Sequence, residues 1–263
     1  MSSSSDESSR RIKMGKIKPD GGFRNLAEAR VPGDLARVFA RNAGTLETKL
    51  DNFPKYIRRQ RLTRLLALYE IFKKILPVKG SIVECGVYHG FSLMAWANMS
   101  AILEPANLTR RIYGFDSFAG FPSAGEKDKG VNFNAKKGHL RSDSYKELKE
   151  LIEIYDANRF LGHVGKVQLI PGDIVKTMPE FIEKNQHLMV SLLFLDMDLY
   201  EPTKAVIQAL YPRIPKGGII AFDELDNPIW PGETSALLET LGIGKLRIQR
   251  VDFDPYIGFA VVE

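Results

Sequence analysis

The chain has 263 residues, 44% of them hydrophobic and 26% charged, with a formal net charge of +5. That length suits one large domain with appendages, and the basic excess lies in the flanks (Arg10, Arg11, Lys13, Lys16, Lys18, then Arg58, Arg59, Arg61, Arg64) without an RNA-binding or helix-turn-helix signature, so no nucleic-acid partner is expected. The single cysteine, Cys85, excludes an internal disulfide, and no apolar run approaches the ~20 residues that span a bilayer, which points to a cytoplasmic protein without a membrane partner.

Residues 1–22 are polar and low in complexity, with charge but no apolar core, and read as a disordered tail rather than a signal peptide or anchor. Residues 23–80 read as a helical extension. Two short helical patterns precede Phe53, and a longer helix over 56–76 places Leu62, Leu65, Leu66, Tyr69, Ile71, Phe72 and Ile75 at helical period. Its arginine run reads as a solvated face or a subunit contact, and the extension makes a homo-oligomer, dimer or higher, the expected state. From 81 to 263 one pattern recurs: apolar strand, loop, helix. Strands are predicted at 81–85, 111–116, 166–171, 190–196 and 218–223, and helices at 91–103, 145–160, 178–184 and 203–210. Residues 245–251 and 256–262 read as a closing antiparallel pair. The alternation predicts an α/β fold with a mainly parallel sheet covered on both faces.

Acids gather at the predicted strand ends. In VSLLFLDMDLYEPT (190–203) the apolar run breaks at Asp196 and Asp198; residues i and i+2 of a strand share a face, so both carboxylates are expected together at the carboxyl edge, where open α/β sheets bind ligands. One of them capping the following helix is the plainer alternative. After the first strand, Glu84-Cys85-Gly86-Val87-Tyr88-His89-Gly90-Phe91-Ser92 has the glycines of a nucleotide-type loop, yet Glu84 would repel a pyrophosphate. A carboxylate there suits a donor with sulfonium and ammonium charges, S-adenosylmethionine, and argues against NAD or ATP. Asp116 stands where an acid binds ribose hydroxyls, a turn or cap aspartate being the alternative, and Asp173 stands where an adenine amine could meet a carboxylate.

Four segments, VECGVYHGFS, GFDSFAGFP, LFLDMDLYEPT and PKGGIIAFDEL, together resemble the macrocin O-methyltransferase (TylF/MycF-type) family of metal-dependent sugar O-methyltransferases, over roughly residues 75–225. The resemblance implies a class I methyltransferase, Rossmann-like fold with a seven-stranded, mainly parallel sheet and an antiparallel C-terminal hairpin. It implies S-adenosylmethionine and Mg²⁺ as cofactors. It carries Glu84, Gly86, Asp116, Ser117 and Asp173 onto this chain as cofactor residues, with Val87, Tyr88, Ser92, Phe118, Ile174 and Asp196 in the same loops. It makes Asp196 and Asp223 metal ligands. Where the family shows two adjacent aspartates this chain has Asp223 and Glu224, so Glu224 becomes the third ligand, with Asp226 also in reach. The implied acceptor is a sugar or nucleotide sugar, the 3-hydroxyl of a rhamnose-type deoxysugar on a nucleoside diphosphate, in antibiotic biosynthesis.

Hard carboxylate oxygens match Mg²⁺, and no His/Cys cluster has zinc spacing. Asp198 is the expected general base and His139, in Lys136-Lys137-Gly138-His139, the alternative. The loop 120–140, with Lys127, Lys129, Lys136 and Lys137, reads either as a lid over the site or as a solvated loop; Trp230 reads as a wall of the acceptor pocket or an interface residue. Three rival functions stand beside this one: a catechol or diol O-methyltransferase, a glycosyltransferase using Asp196-Met197-Asp198 as its metal motif, and a basic binding module without activity.

Overall fold

The structure is a computed structural model that describes residues 26–131 and 133–263; the tail expected over 1–22 lies outside them. In chain order the elements are α1 (Leu26–Arg41), α2 (Leu46–Asp51), α3 (Arg59–Ile75), β1 (Ser81–Cys85), α4 (Phe91–Leu103), β2 (Ile112–Asp116), β3 (Lys129–Gly130), β4 (Phe133–Asn134), α5 (Tyr145–Ala157), β5 (Val167–Pro171), α6 (Ile174–Lys184), β6 (Val190–Leu195), α7 (Tyr200–Leu210), β7 (Ile219–Phe222), α8 (Gly232–Thr240), β8 (Gln249–Arg250) and β9 (Gly258–Val261).

Seven strands form one sheet in the order β5-β2-β1-β6-β7-β9-β8. The first five are parallel, and β9 runs antiparallel to both β7 and β8. Central strands β1, β6 and β7 are buried at every position, which is why they read as unbroken apolar runs rather than alternating ones. Their side chains feed two cores. Ile82, Leu192, Phe194 and Ala221 pack with Phe72 of α3 and Trp96 of α4 on one face, whereas Val83, Leu193, Leu195 and Phe222 pack with Ile207 and Leu210 of α7 on the other.

Chain order reverses at β1, which has β2 on one side and β6 on the other; a crevice opens at such a switch point beyond the carboxyl ends of the strands. Backbone hydrogen bonds carry the register past the strands, with Asp196 N–H donating to Cys85 O at 2.8 Å and Asp223 N–H to Leu195 O at 2.9 Å. Gly86 is required here: its φ is +98°, and a Cβ would lie 1.7 Å from the carbonyl oxygen of Asp196.

Among the boundaries that differ from the sequence expectation, three have a clear local reason. Helix α6 begins at Ile174, not 178, because the Asp173 side chain caps it by accepting from Val175 N–H. Helix α7 begins at Tyr200, where the N–H is taken by Asp128 from a distant loop. Strand β6 ends at Leu195, so Asp196 and Asp198 belong to a turn, in which Asp198 has φ +60°. The two acids therefore lie beyond the strand and do not share a strand face.

Candidate active site

Two cavities meet at the carboxyl edge of the sheet. One, of about 150 Å³, is lined among others by Gly86, Asp116, Ser117, Asp173, Ile174 and Asp198. Another, of about 640 Å³, is lined by Arg61, Arg64, His89, Ser92, Leu148 and Asp223 among others. Tyr88 and Asp196 line both, and form the wall between them.

On the smaller side the acids are held by backbone amides. Asp116 Oδ2 accepts from Tyr88 N–H at 2.7 Å and its Oδ1 from Phe118 N–H at 2.6 Å, which fixes the carboxylate and leaves lone pairs facing the cavity. Both donors lie in the left-handed region, Tyr88 at φ +51° and Phe118 at φ +53°, a conformation costly for bulky residues and characteristic of functional loops. The Tyr88 carbonyl is pinned as well, by the hydroxyls of Ser142 (2.9 Å) and Ser144 (2.5 Å). Val87 is buried in the core beneath this turn.

Glu84 lies deeper than a ligand-facing residue would. It is fully buried, lines neither cavity, and accepts from the Ser92 hydroxyl at 2.8 Å. Burial pushes its carboxyl well above the usual range, with the Ser92 hydroxyl opposing the shift. Its Oε2 and the Trp96 indole N–H have no hydrogen-bond partner. A buried, unsatisfied acceptor fits a cationic donor approaching over Gly86, although the loop rather than Glu84 forms the cavity surface.

The acids after β6 and β7 are held differently. Burial pushes Asp196 up to about 6 against the opposing charge of Arg64. Asp198, 7% exposed, is pushed well above the carboxylate range by burial and by the charges of Asp196 and Glu233, and lines only the smaller cavity. Sequence reasoning missed Glu233. This fully buried residue accepts from Met197 N–H (2.9 Å) and Asp198 N–H (3.2 Å) through Oε1 and from Glu224 N–H (3.2 Å) through Oε2, tying the β6 turn to the β7 turn. Burial raises it to about 8. Nothing local in GETSALLET marks Glu233 as inward, because α8 is set by its packing on α7.

Arg64 departs from the reading of the arginine run as a solvated face or subunit contact, whereas Arg61 is exposed and lines the larger cavity. Arg64 falls on the helical stripe of Leu68, Ile71 and Ile75, four residues before the first of them, and this period directs it at the sheet. It forms an ion pair with Asp223, and its Nε lies 3.6 Å from Asp254 Oδ2. Of the three predicted metal ligands, Asp196 and Asp223 face the same larger cavity; Glu224 lines neither, is raised to about 7 by burial, and accepts from the Asn227 side chain. Among the described residues no three His, Cys, Asp or Glu side chains already stand together as a metal-binding group. Asp196 and Asp223 nevertheless fit a hard divalent cation in kind and in sharing one crevice, with Arg64 holding the second of them.

His139 lines neither cavity, and its ring packs 5.8 Å from that of Phe133. The loop 120–140 is fastened rather than free. Asp128, 5% exposed, accepts from Tyr200 N–H and Gly125 N–H, Val131 N–H donates to Pro228 O, and Lys127 pairs with Glu239. Trp230 is buried beneath it with Phe121, Leu199 and Ile229, so it fixes this loop instead of presenting a stacking face.

The profile of the family described as Macrocin-O-methyltransferase (TylF) matches residues 54–255. A curated relative from Streptomyces olivaceus, 8-demethyl-8-(2,3-dimethoxy-alpha-L-rhamnosyl)-tetracenomycin-C 4'-O-methyltransferase, is 27% identical over 148 residues, 56% of this chain and 53% of its own length. Demethyldecarbamoylnovobiocin O-methyltransferase from Streptomyces niveus is 28% identical over 152 residues, with the same shares. The chain thus spans about half the length of the curated relatives it matches. Among solved structures, CalS11, a calicheamicin methyltransferase, has a TM-score of 0.87 at 34% identity, covering 90% of this chain and 93% of its own. The apo structure of CalS11, described as TDP-rhamnose 3'-O-methyltransferase, gives 0.80 at 31% identity, covering 90% and 95%. Sheet order, strand directions and these matches agree on a class I methyltransferase fold and leave the glycosyltransferase reading of Asp196-Met197-Asp198 without support. By profile and by structure, the chain belongs to the macrocin O-methyltransferase family.

Proposed function

We propose that the protein is an S-adenosylmethionine- and Mg²⁺-dependent O-methyltransferase for a sugar hydroxyl, the 3-hydroxyl of a nucleoside-diphosphate-activated, rhamnose-type deoxysugar in natural-product biosynthesis. The observation that carries the reading is that Asp196 and Tyr88 line both cavities. A donor held by Asp116, Ser117 and Asp173 would present its reactive end where an acceptor in the larger crevice meets Asp196. The acceptor class is supported by the 31% identity to a TDP-rhamnose 3'-O-methyltransferase over 90% of this chain.

In this reading Asp116 receives the ribose hydroxyls, Asp173 and Ile174 border the adenine, and the buried Glu84 lies beneath the donor's cationic end, whose arrival would favour ionisation of a carboxyl that burial otherwise holds protonated. Tyr88, pinned through both its N–H and its C=O, keeps donor and acceptor in register, since near-attack positioning carries much of such a reaction. Asp196 and Asp223 would hold the Mg²⁺, which when bound supplies Lewis-acid polarisation of the acceptor oxygen. Position supports Asp196 rather than Asp198 or His139 as the group that takes the hydroxyl proton, on whichever carboxylate oxygen the metal would leave free, because Asp198 lines only the donor cavity and His139 neither cavity. A reducing, cytoplasmic setting agrees with the lone buried Cys85, and no helix among the described residues is long and apolar enough to cross a membrane. Exposed Leu46, Leu50, Phe53 and Leu66 on the N-terminal helices support a homo-oligomer, which light scattering reads directly.

The test is mass-spectrometric detection of methyl transfer from S-adenosylmethionine to TDP-rhamnose, with catechol and a rhamnosylated natural product as competing acceptors, beside calorimetric titration with S-adenosylhomocysteine. One methyl added to the nucleotide sugar is the expected result. Failure to bind S-adenosylhomocysteine overturns the reading whole; transfer only to the other acceptors overturns the substrate class.

A further inference from the structure

The larger crevice holds a cation of its own. Arg64 reaches from α3 to Asp223, one of the two acids proposed to hold Mg²⁺, although 159 residues separate them in sequence. The contact is sheltered, with side-chain exposures of 16% for Arg64 and 12% for Asp223. A guanidinium and a divalent ion carry like charge and compete for the same carboxylate, so loading the metal requires that Arg64 give up Asp223.

The structure also supplies a place for it to stay. Asp254, in the turn between β8 and β9, has a side chain only 3% exposed, and its Oδ2 already lies 3.6 Å from Arg64 Nε. Asp254 does not depend on Arg64 for its orientation, because its Oδ1 accepts from Tyr256 N–H (2.9 Å) and Ile257 N–H (3.1 Å). The planar guanidinium thus spans two acids at once, a fork that a lysine ammonium cannot match. Nothing in the proposed reaction otherwise uses Asp254.

We propose that Arg64 is the resident counter-ion of the acidic crevice and that Asp254 is the positioning residue that retains it when a divalent cation takes Asp223. This rests on the Mg²⁺ part of the proposed function and makes Asp254 a determinant of metal affinity without being a ligand. A buried guanidinium stripped of every acid would be strongly unfavourable, so without Asp254 it clings to Asp223. Without Arg64, the metal meets no competitor.

The experiment measures Mn²⁺ binding to the full chain by electron paramagnetic resonance of the free ion, with donor and acceptor absent. Coupling between such sites is typically ~5- to 150-fold, and we expect Asp254→Asn to weaken Mn²⁺ binding on the order of tenfold and Arg64→Gln to tighten it by a similar factor. Arg64→Lys should fall between, and Asp254→Asn should have little effect in the Arg64→Gln background. Circular dichroism melting of each variant identifies loss of fold, and the Arg64→Gln result stands even where Asp254→Asn does not fold. Unchanged affinity in Arg64→Gln, or an equal Asp254→Asn effect in both backgrounds, overturns the inference while leaving the methyltransferase reading intact. No Mn²⁺ binding in any form, with S-adenosylhomocysteine still bound, removes the metal reading and this inference with it.

Discussion

The two cavities hold their acids by opposite means. In the smaller one Asp116 is oriented by backbone N–H groups from two loops and Asp173 by one from the helix it caps, with the exposed Lys176 ammonium 3.9 Å from Asp173, so the main chain fixes both carboxylates. In the larger one burial raises the proton affinity of Asp196, the charge of Asp196 raises that of the neighbouring Asp198, Glu224 and Glu233, and Arg64 and Arg61 oppose the shift at Asp196 while Arg64 also pairs with Asp223. Preorganised acids suit a neutral polyhydroxyl ligand that arrives in one pose. Crowded, desolvated acids suit a cation, because only added positive charge relieves them.

That contrast can be broken most forcefully at the shared wall. Asp196→Asn should lower turnover by ~10²- to 10⁴-fold, the range expected of a proton acceptor, with saturating donor. Asp198→Asn, on the donor side alone, should cost about tenfold or less; initial rates that reverse this order return the base to Asp198. Chelation of divalent ions should remove most turnover yet leave S-adenosylhomocysteine affinity unchanged in calorimetry, since Asp116 and Asp173, the acids assigned to the donor, hold no metal. Loss of both together would merge the two cavities into one metal-dependent site.

Smaller effects sharpen the same division. Asp116→Ala removes charge-assisted hydrogen bonds worth about 1.5–3 kcal/mol each and should weaken S-adenosylhomocysteine roughly ten- to a hundredfold, without changing Mn²⁺ affinity. Glu233 should register in stability more than in binding. Its carboxyl is raised by burial from an ordinary value of 4.5 to about 8, so its protonated form is favoured in the folded state, and stability present below the unfolded value is lost as pH climbs through the folded one. The melting temperature should therefore fall as pH rises from about 4.5 to about 8 and level off above, and Glu233→Gln should flatten that fall in a calorimetric scan series.

Much of the scaffold was legible because parallel strands buried on both faces leave unbroken apolar runs, and β1, β6 and β7 do so. Strand-end acids were legible for the same reason, since an acid that breaks such a run must sit at the edge. The expectation that Asp196 and Asp198 share a strand face carried the period-2 rule past the strand's end at Leu195. Arg64 was misjudged although its helical period with Leu68 and Ile71 points inward, because an arginine in a basic run reads as solvent-facing when its partner lies far along the chain. Trp230 and the lysine-rich loop were left open because each finds its partners only after α7 and α8 have packed.

By itself the sequence determined the α/β alternation, the strand-end carboxylates and the family, since these are written in local pattern: apolar runs, glycines at required turns and acids that interrupt them. Only the tertiary structure decided which acids share a crevice, that Glu233 straps the two turns together, and that Arg64 and Asp254 answer Asp223. Burial and charge balance are properties of neighbours in space, and those neighbours are separated along the chain by 35 residues for Glu233 and Asp198 and by 159 for Arg64 and Asp223.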